Sequence, residues 1–324
     1  MKNPLRAVVF TAMFGMIGSA SAQPYPSRLI TIIVGYAAGG PTDTIARIVA
    51  ERMKGPLGQS IVIENVTGAS GSLGTGRVAQ AAPDVYTLSI GDISTHVFNG
   101  AIYSLPYDVL KDFEPIALLP SNPSIILAKN AVPAKDLQEL IAWIKANPDK
   151  ATAATAGHGS PSHVSLVRFQ SAIGTRFQLV PYRGAAPAMQ DVIAGQVDMS
   201  FNQIANALPH VREGKLKALA VTSKTRVAAA PEIPTVDEAG LPGFYVSIWR
   251  GLWAPKGTPK DVIAKLNTAA IEALANPALR ERLAAMGEEI PPRDQQTPEA
   301  LAAFQKAEME KWWPIIKAAN IKAE

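Results

Sequence analysis

The sequence predicts an α/β chain folded as two domains joined by a hinge, and two observations carry that prediction. Short β-branched runs alternate with helical patterns along most of the length. After a Pro/Gly-rich segment, AAAPEIPTVDEAGLPGF, the chain returns to a strand, YVSIWRGLWAP, before it ends in helices. A passage out near Leu118 to Ser124 and a return near Tyr245 to Trp249 make two crossover strands with a cleft beside them. The predicted division is residues 23–120 plus 247–324, with the C-terminal helices, for one domain, and residues 121–246 for the other.

The expected strands are LITIIVGY, SIVIEN, YTLSIGD, EPIALL, SIILAKN, KATAATA, FQLVPY, VDMSFN and KALAVTS, then the returning YVSIWRGLWAP. Between them TDTIARIVAERMK, KDLQELIAWIKAN, SHVSLVRFQSAIG and APAMQDVIAG carry apolar residues at three- and four-residue spacing, as helices do. From TPKDVIAKLNTAAIEALAN through LRERLAAM to PEALAAFQKAEMEKWWPIIKAAN the pattern is purely helical, and Trp312 and Trp313 are expected to pack the last helix onto the first domain. No low-complexity tract and no fixed-period repeat interrupts this order.

The N-terminus reads as an export signal. Lys2 and Arg6 precede the apolar run Ala7 to Gly18, and Ala20-Ser21-Ala22 supplies small residues for cleavage after Ala22. Residues 1–22 are therefore expected to be removed, and the mature chain to lie in a Gram-negative periplasm. With no cysteine the chain has no disulfide, no thiolate nucleophile and no site for a lipoprotein tether. The formal net charge of +4 includes both basic residues of the leader. What remains is close to neutral, without the basic patch interleaved with aromatics that nucleic-acid binding needs. A monomer is expected.

Enzymatic and metal chemistry find little support. GTGRVA (Gly74 to Ala79) has dinucleotide-motif spacing but starts well past the end of the preceding strand, where that motif needs its glycines at once. No G-x-S-x-G elbow is present. Ser160 with His158 or His163 lacks an orienting acid and an oxyanion partner in the sequence. The four histidines, at 96, 158, 163 and 210, contain no H-E-x-x-H. Neither a metal nor a cofactor is expected.

Two stretches share one grammar. GYAAGGPTDTIAR and ATAATAGHGSPSHVSLVRF each run from an apolar strand through small residues and proline into a helix. Small residues let the backbone turn tightly and leave N–H groups uncovered at the helix start, where an anion gains ~0.3–1 kcal/mol from the dipole when exposed. One such loop in each domain makes a two-sided clamp for a carboxylate.

The ordered set YPSRLITIIVGYAAGGPTDTIAR, VIENVTGASGSLGTGRVAQAAPDVYTL, DFEPIALL, GHGSPSH, VPYRGAAPAMQDVIAGQVDMSF, EIPTVDEAGLPGF and WAPKGTP resembles the tripartite tricarboxylate transporter receptors, the Bug-type solute-binding proteins, over essentially the whole mature chain. The resemblance implies a type II periplasmic-binding-protein fold. It further implies a receptor that closes on a small organic carboxylate and passes it to a membrane permease. Ligand contacts are implied at the backbone of Tyr36, Ala37, Ala38, Gly39, Gly40, Pro41, Thr42 and Asp43, and of Gly157, His158, Gly159, Ser160, Ser162 and His163. The loop after Asn65, with Ser70, is implied on the cleft wall, and Asp198 and Asn202 near the cleft. PDVYTL departs from the family's PDGYTL, so Val85 predicts a shifted turn.

Single residues carry their own expectations. Asp43 would repel an anion and is expected rather to cap loop amides. Ser94, Thr95 and His96 follow the YTLSIGD strand, with His96 read as a structural group. Tyr182, Arg183 and Gly184 follow FQLVPY; Arg183 offers either a bidentate partner for a distal carboxylate or an ion pair with Asp191 or Asp198. The resemblance implies a ligand range from amino acids and citrate through C4 to C6 dicarboxylates to aromatic acids such as terephthalate and nicotinate; Tyr36 and Tyr182 without an arginine cluster lean away from tricarboxylates, so a dicarboxylate or an aromatic carboxylate is favoured. An exported hydrolase or isomerase of small acids, and a periplasmic sensor feeding a kinase, are the alternatives.

Overall fold

The computed structural model describes residues 25–84 and 86–322. The expected leader and the Val85 turn lie outside the described residues.

Three parallel strands open the chain: β1 (Ile30–Val34), β2 (Ile61–Asn65) and β3 (Thr87–Asp92), with helices α1 (Pro41–Leu57), α2 (Ser72–Ala79) and α3 (Asn99–Ile102) between and after them. The long strand β4 (Phe113–Lys129) then leads to α4 (Leu137–Ala146), β5 (Thr152–Thr155), α5 (Pro161–Ile173), β6 (Gln178–Pro181), α6 (Ala185–Ile193), β7 (Met199–Gln203), α7 (Ile204–Arg212) and β8 (Leu216–Val221). The returning strand β9 (Ser247–Pro255) precedes α8 (Lys260–Ala275), α9 (Pro277–Ala285) and α10 (Pro298–Ala318). The sheet order is β2-β1-β3-β9-β4-β7-β5-β6, with β8 paired to β4.

EPIALL and SIILAKN, expected as two strands, are one. Pro115, Pro120 and Pro123 interrupt the apolar pattern, but β4 places its register shifts between Pro115 and Ala117 and between Leu119 and Asn122. A proline lacks the ladder N–H, so an irregularity is where a strand tolerates it. Helices α2, α3 and α7 are additions to the expected set. The glycines of GTGRVA belong to α2 and serve packing: a Cβ on Gly74 would stand 2.7 Å from the Val66 carbonyl and 3.1 Å from Gly35 Cα. Their dinucleotide-like spacing is thus a close-approach surface between a helix and the end of β1.

The crossing strands fix the geometry of everything that follows. Strand β9 pairs antiparallel with both β3 and β4, and β7 pairs antiparallel with β4. Asp92 at the end of β3 stands opposite Arg250, which stands opposite Leu119 of β4; Gln203 at the end of β7 stands opposite Ser124. The carboxyl ends of β1 to β3 therefore point along β4 toward those of β5 to β7. At about 3.3 Å per residue the two edges lie roughly 16 Å apart. A third link joins the halves here, because Ser121 and Glu289 exchange backbone hydrogen bonds at 3.0 and 2.7 Å. Asn122, fully buried, donates to the Gly287 carbonyl and accepts from Ile204 N–H at the start of α7.

Helix α10 is pinned by polar contacts inside an apolar core. Glu308 accepts from the indole N–H groups of Trp249 and Trp312, and Gln305 Nε2 donates to the carbonyls of His96 and Val109. Trp312 meets Phe98 edge-on, and Trp313 donates to the Val97 carbonyl. Helix α10 packs on β4 and on residues 94–102, and it also reaches the other half, where Arg168 of α5 lies over the Trp312 ring.

Candidate functional site

Ligands of open α/β sheets bind outside the carboxyl ends of the strands. Here two such edges face each other, and a recess of 90 Å³ opens on the second of them, lined by Ser124 and Ile248 from the crossing strands and by Ser162, Asn202, Gln203 and Asn206 from the second half.

On the first edge, Gly39 adopts φ +81° and Gly40 precedes α1 without a side-chain cap; Pro41 takes the first helical position. Ala37, Ala38 and Gly39 form an exposed tip. Asp43 accepts from Gly39 N–H at 2.8 Å, from Arg47 Nε at 2.9 Å and from Asn65 Nδ2 at 2.8 Å, so it caps its own loop as expected. Burial raises its pKa, but the hydrogen bonds from Arg47, Gly39 and Asn65 outweigh this and hold the carboxyl below its usual range. Among the described residues the amides of Ala37, Ala38, Thr42 and Asp43 meet no acceptor. These are donors available to an anion.

The second loop differs. Ser162 Oγ accepts from Ala156 N–H, Thr155 Oγ1 from Gly157 N–H, His163 Nδ1 from Gly159 N–H, and Ser160 Oγ from His163 N–H. Only the amides of His158 and Ser162 stay open within it among the described residues. His158 and His163 also turn away from the recess. Their rings, 4.7 Å apart, line a separate 790 Å³ groove between α5 and the end of α10. Burial, then the neighbouring His158, push the His163 pKa down to about 4. Gly159, at φ +70°, lies where a Cβ would come within 3.2 Å of Ile102, so the loop touches the opposite half.

Other expected positions sort by what their side chains already bind. Tyr36 donates to Asp92 Oδ1 at 2.7 Å, and Thr42 Oγ1 to Asp92 Oδ2 at 3.3 Å, so neither hydroxyl proton is free for an anion. Ser94 and Thr95 give their backbone N–H groups to Asp92 as well. Ser70, in the left-handed region at φ +51°, shares a hydrogen bond with the Tyr103 hydroxyl. Tyr182 donates to Asp191 at 2.6 Å, and burial followed by that carboxylate pushes its pKa up to about 12. Gly184, at φ +117°, precedes α6.

One expectation needs correction, and one of two alternatives falls away. Asp198 precedes the start of β7, at the far end of the strand from Asn202; it accepts from Thr152 and pairs with Lys129 at 2.8 Å, away from the facing edges. Arg183 is exposed and pairs with neither acid, because Asp191 is taken by Tyr182 and Asp198 by Lys129. His96 is structural, as expected: it is fully buried, stacked on Trp253 at 3.6 Å, and burial holds its pKa down to about 3.

Sequence reasoning missed the buried charges behind the recess. Asp92 gathers the Tyr36 loop and the Ser94–Thr95 turn, with burial raising its pKa against the Tyr36 hydrogen bond. Arg250, fully buried in β9, binds Glu288 at 2.9 Å, the Pro120 carbonyl at 3.3 Å and Gln203 Oε1 at 3.3 Å. A polar residue in an otherwise apolar crossover strand, SIWRGLWAP, is the signal that marks it.

Two α/β halves with facing carboxyl edges, tied by antiparallel crossing strands, define the periplasmic-binding-protein fold and a receptor class that closes on small solutes. The chain belongs to the tripartite tricarboxylate transporter receptor family: the family described as "Tripartite tricarboxylate transporter family receptor" matches residues 45–321. Its structure is similar to MatC from Rhodopseudomonas palustris with bound malate, at 42% identity and a TM-score of 0.79, covering 90% of this chain and 100% of that one. Similarity to the periplasmic binding protein BugD is 40% identity, TM-score 0.79, covering 92% and 100%. For R. palustris Rpa4515 with adipate it is 30% identity, TM-score 0.81, covering 92% and 100%. The protein is a solute-binding receptor, not an enzyme.

Proposed function

We propose that this receptor is exported, captures a small organic carboxylate between residues 23–120 plus 247–324 and residues 121–246, and hands it to a membrane permease of the tripartite type. The observation that carries this reading is the pair of facing strand edges, with the open amides of Ala37, Ala38, Thr42 and Asp43 on the first edge and the recess on the second. Backbone N–H groups at a helix start favour an anion, and a few charge-assisted hydrogen bonds at ~1.5–3 kcal/mol each sum to the ~8 kcal/mol of a micromolar complex. Relatives bearing malate and adipate support a carboxylate. A recess of 90 Å³ supports an aliphatic dicarboxylate over an aromatic acid such as terephthalate.

The test is a thermal-shift screen of the mature chain, unfolded and refolded to strip carried-over ligand, against mono-, di-, tri- and aromatic carboxylates. A ligand that binds only the native state raises the midpoint by RT ln(1 + [L]/Kd) in free energy. A shift confined to dicarboxylates is expected. Silence across the panel would remove the carboxylate reading.

A further inference from the structure

The lining of the recess includes no lysine, arginine or histidine. An anionic group placed there depends on neutral donors, so the orientation of each side-chain amide matters. Asn202 Nδ2 donates to Ser200 Oγ at 2.9 Å, but a hydroxyl donates as readily as it accepts, which leaves that amide free to flip. Gln203 has no such freedom. Its Oε1 faces the guanidinium of Arg250, which carries donors only.

We propose that Gln203, held by Arg250, is the specificity residue of the recess: its Nε2 donates to one carboxylate of a short aliphatic dicarboxylate captured in the cleft. This deepens the carboxylate-receptor reading and rests on it. With Oε1 committed to Arg250, the amide turns its donor end to the space that Gln203 lines, and Nε2 meets no acceptor among the described residues. Arg250 is itself immobilised by Glu288 and the Pro120 carbonyl and is fully buried. Its charge never contacts solvent, yet it polarises the amide that does, strengthening the N–H it presents. The size of the recess, room for a few water molecules, suits a carboxylate with one or two carbons behind it. Arg250 is in this scheme a positioning residue, and Gln203 the contact.

The experiment is titration calorimetry with succinate, its monoamide succinamate, and butyrate as probes. Wild-type protein is expected to prefer succinate over butyrate. Gln203→Met should cost succinate about tenfold or more while butyrate changes less than about twofold, and Gln203→Glu, which keeps a partner for Arg250, should cost succinate more than succinamate. A purely structural role would lower all three affinities together, and that result, or no change at all, overturns the assignment. If the methionine variant melts far below wild type, Gln203→Asn, one methylene shorter, is read in the same way. Wild-type binding of butyrate and succinate with equal affinity refutes the role of Gln203 and leaves the receptor reading intact. No binding of any probe by the wild type likewise refutes the role of Gln203, while the receptor reading stands or falls with the full carboxylate panel.

Discussion

The two strand-to-helix loops look alike as sequence and differ as chemistry. GYAAGGPTD leaves four amides without acceptors and spends its one carboxylate on steadying the tip, through Gly39 and Arg47. AGHGSPSH satisfies most of its amides with Ser160, Ser162, Thr155 and His163, and rests a glycine against Ile102 of the other half. The same small-residue composition thus builds a donor on one side and a closed, preshaped wall on the other. In the two-sided clamp expected from sequence, the open donors are gathered on one side.

That asymmetry is open to direct attack. Gly39→Val forces a β-branched residue into φ +81° in open space, so it displaces the tip amides without a clash. Affinity for the carboxylate found in the screen should fall about 100-fold, or about 2.7 kcal/mol, with a melting temperature only a few degrees lower. Unchanged affinity by calorimetry would mean that the tip does not hold the ligand.

Gly159→Val should cost about tenfold, because it strains φ +70° and meets Ile102 across the halves. Adding Ile102→Ala should return part of that loss. If the double variant binds no better than the single one, the contact between the halves is not what the valine disturbs.

Acid separates the loops by pH window. His163 and the core residue His96 are held neutral in the folded protein, with pKa values of about 4 and about 3, while the unfolded chain protonates them near the usual value of 6.5. Below about pH 6.5 the unfolded state binds more protons, so stability falls as pH drops toward those folded values. At pH 5 the loss is about 2 kcal/mol for His96 and, allowing for solvent screening, about 1 kcal/mol for His163. Asp43 acts in a lower window: its folded pKa lies below 3.8, so its contribution is complete above that value and disappears as pH falls through the folded one. Denaturant melts at pH 7, 5 and 3.5 of wild type and His163→Gln check this. The glutamine variant should lose less stability between pH 7 and 5, and an identical loss would place the sensitivity elsewhere.

The smallest effect is expected from Ser160→Ala, which removes the side-chain cap of α5 and should cost about 1 kcal/mol of stability with affinity changed less than about twofold. A large affinity loss would return the second loop to the role of donor.

Much of this fold was legible because β-branched runs and three-to-four spacing report local structure directly, and because the return strand SIWRGLWAP betrays the second crossing. The prolines of β4 misled, since a strand with irregularities at its prolines reads as two. The loops before α1 and α5 were legible from their glycines, but their hydrogen bonding was not: whether Ser162 reaches Ala156 N–H depends on a turn six residues long, not on composition. Asp198 was misplaced because the sequence shows that it borders a strand and not which end of that strand meets the other half. Asp92, Arg250 and Gln203 escaped because they come together only through the register of β3, β9, β4 and β7.

Strand β9 carries a practical consequence. Two of the five tryptophans, Trp249 and Trp253, flank Arg250 within it, one against Glu308 and one stacked on His96. The strand that crosses between the halves thus holds its own fluorophores, one beside a carboxylate and one beside an imidazole, both able to alter indole emission. The native chain should serve as a label-free optical sensor of its solute, read in a cuvette without a dye or an engineered cysteine.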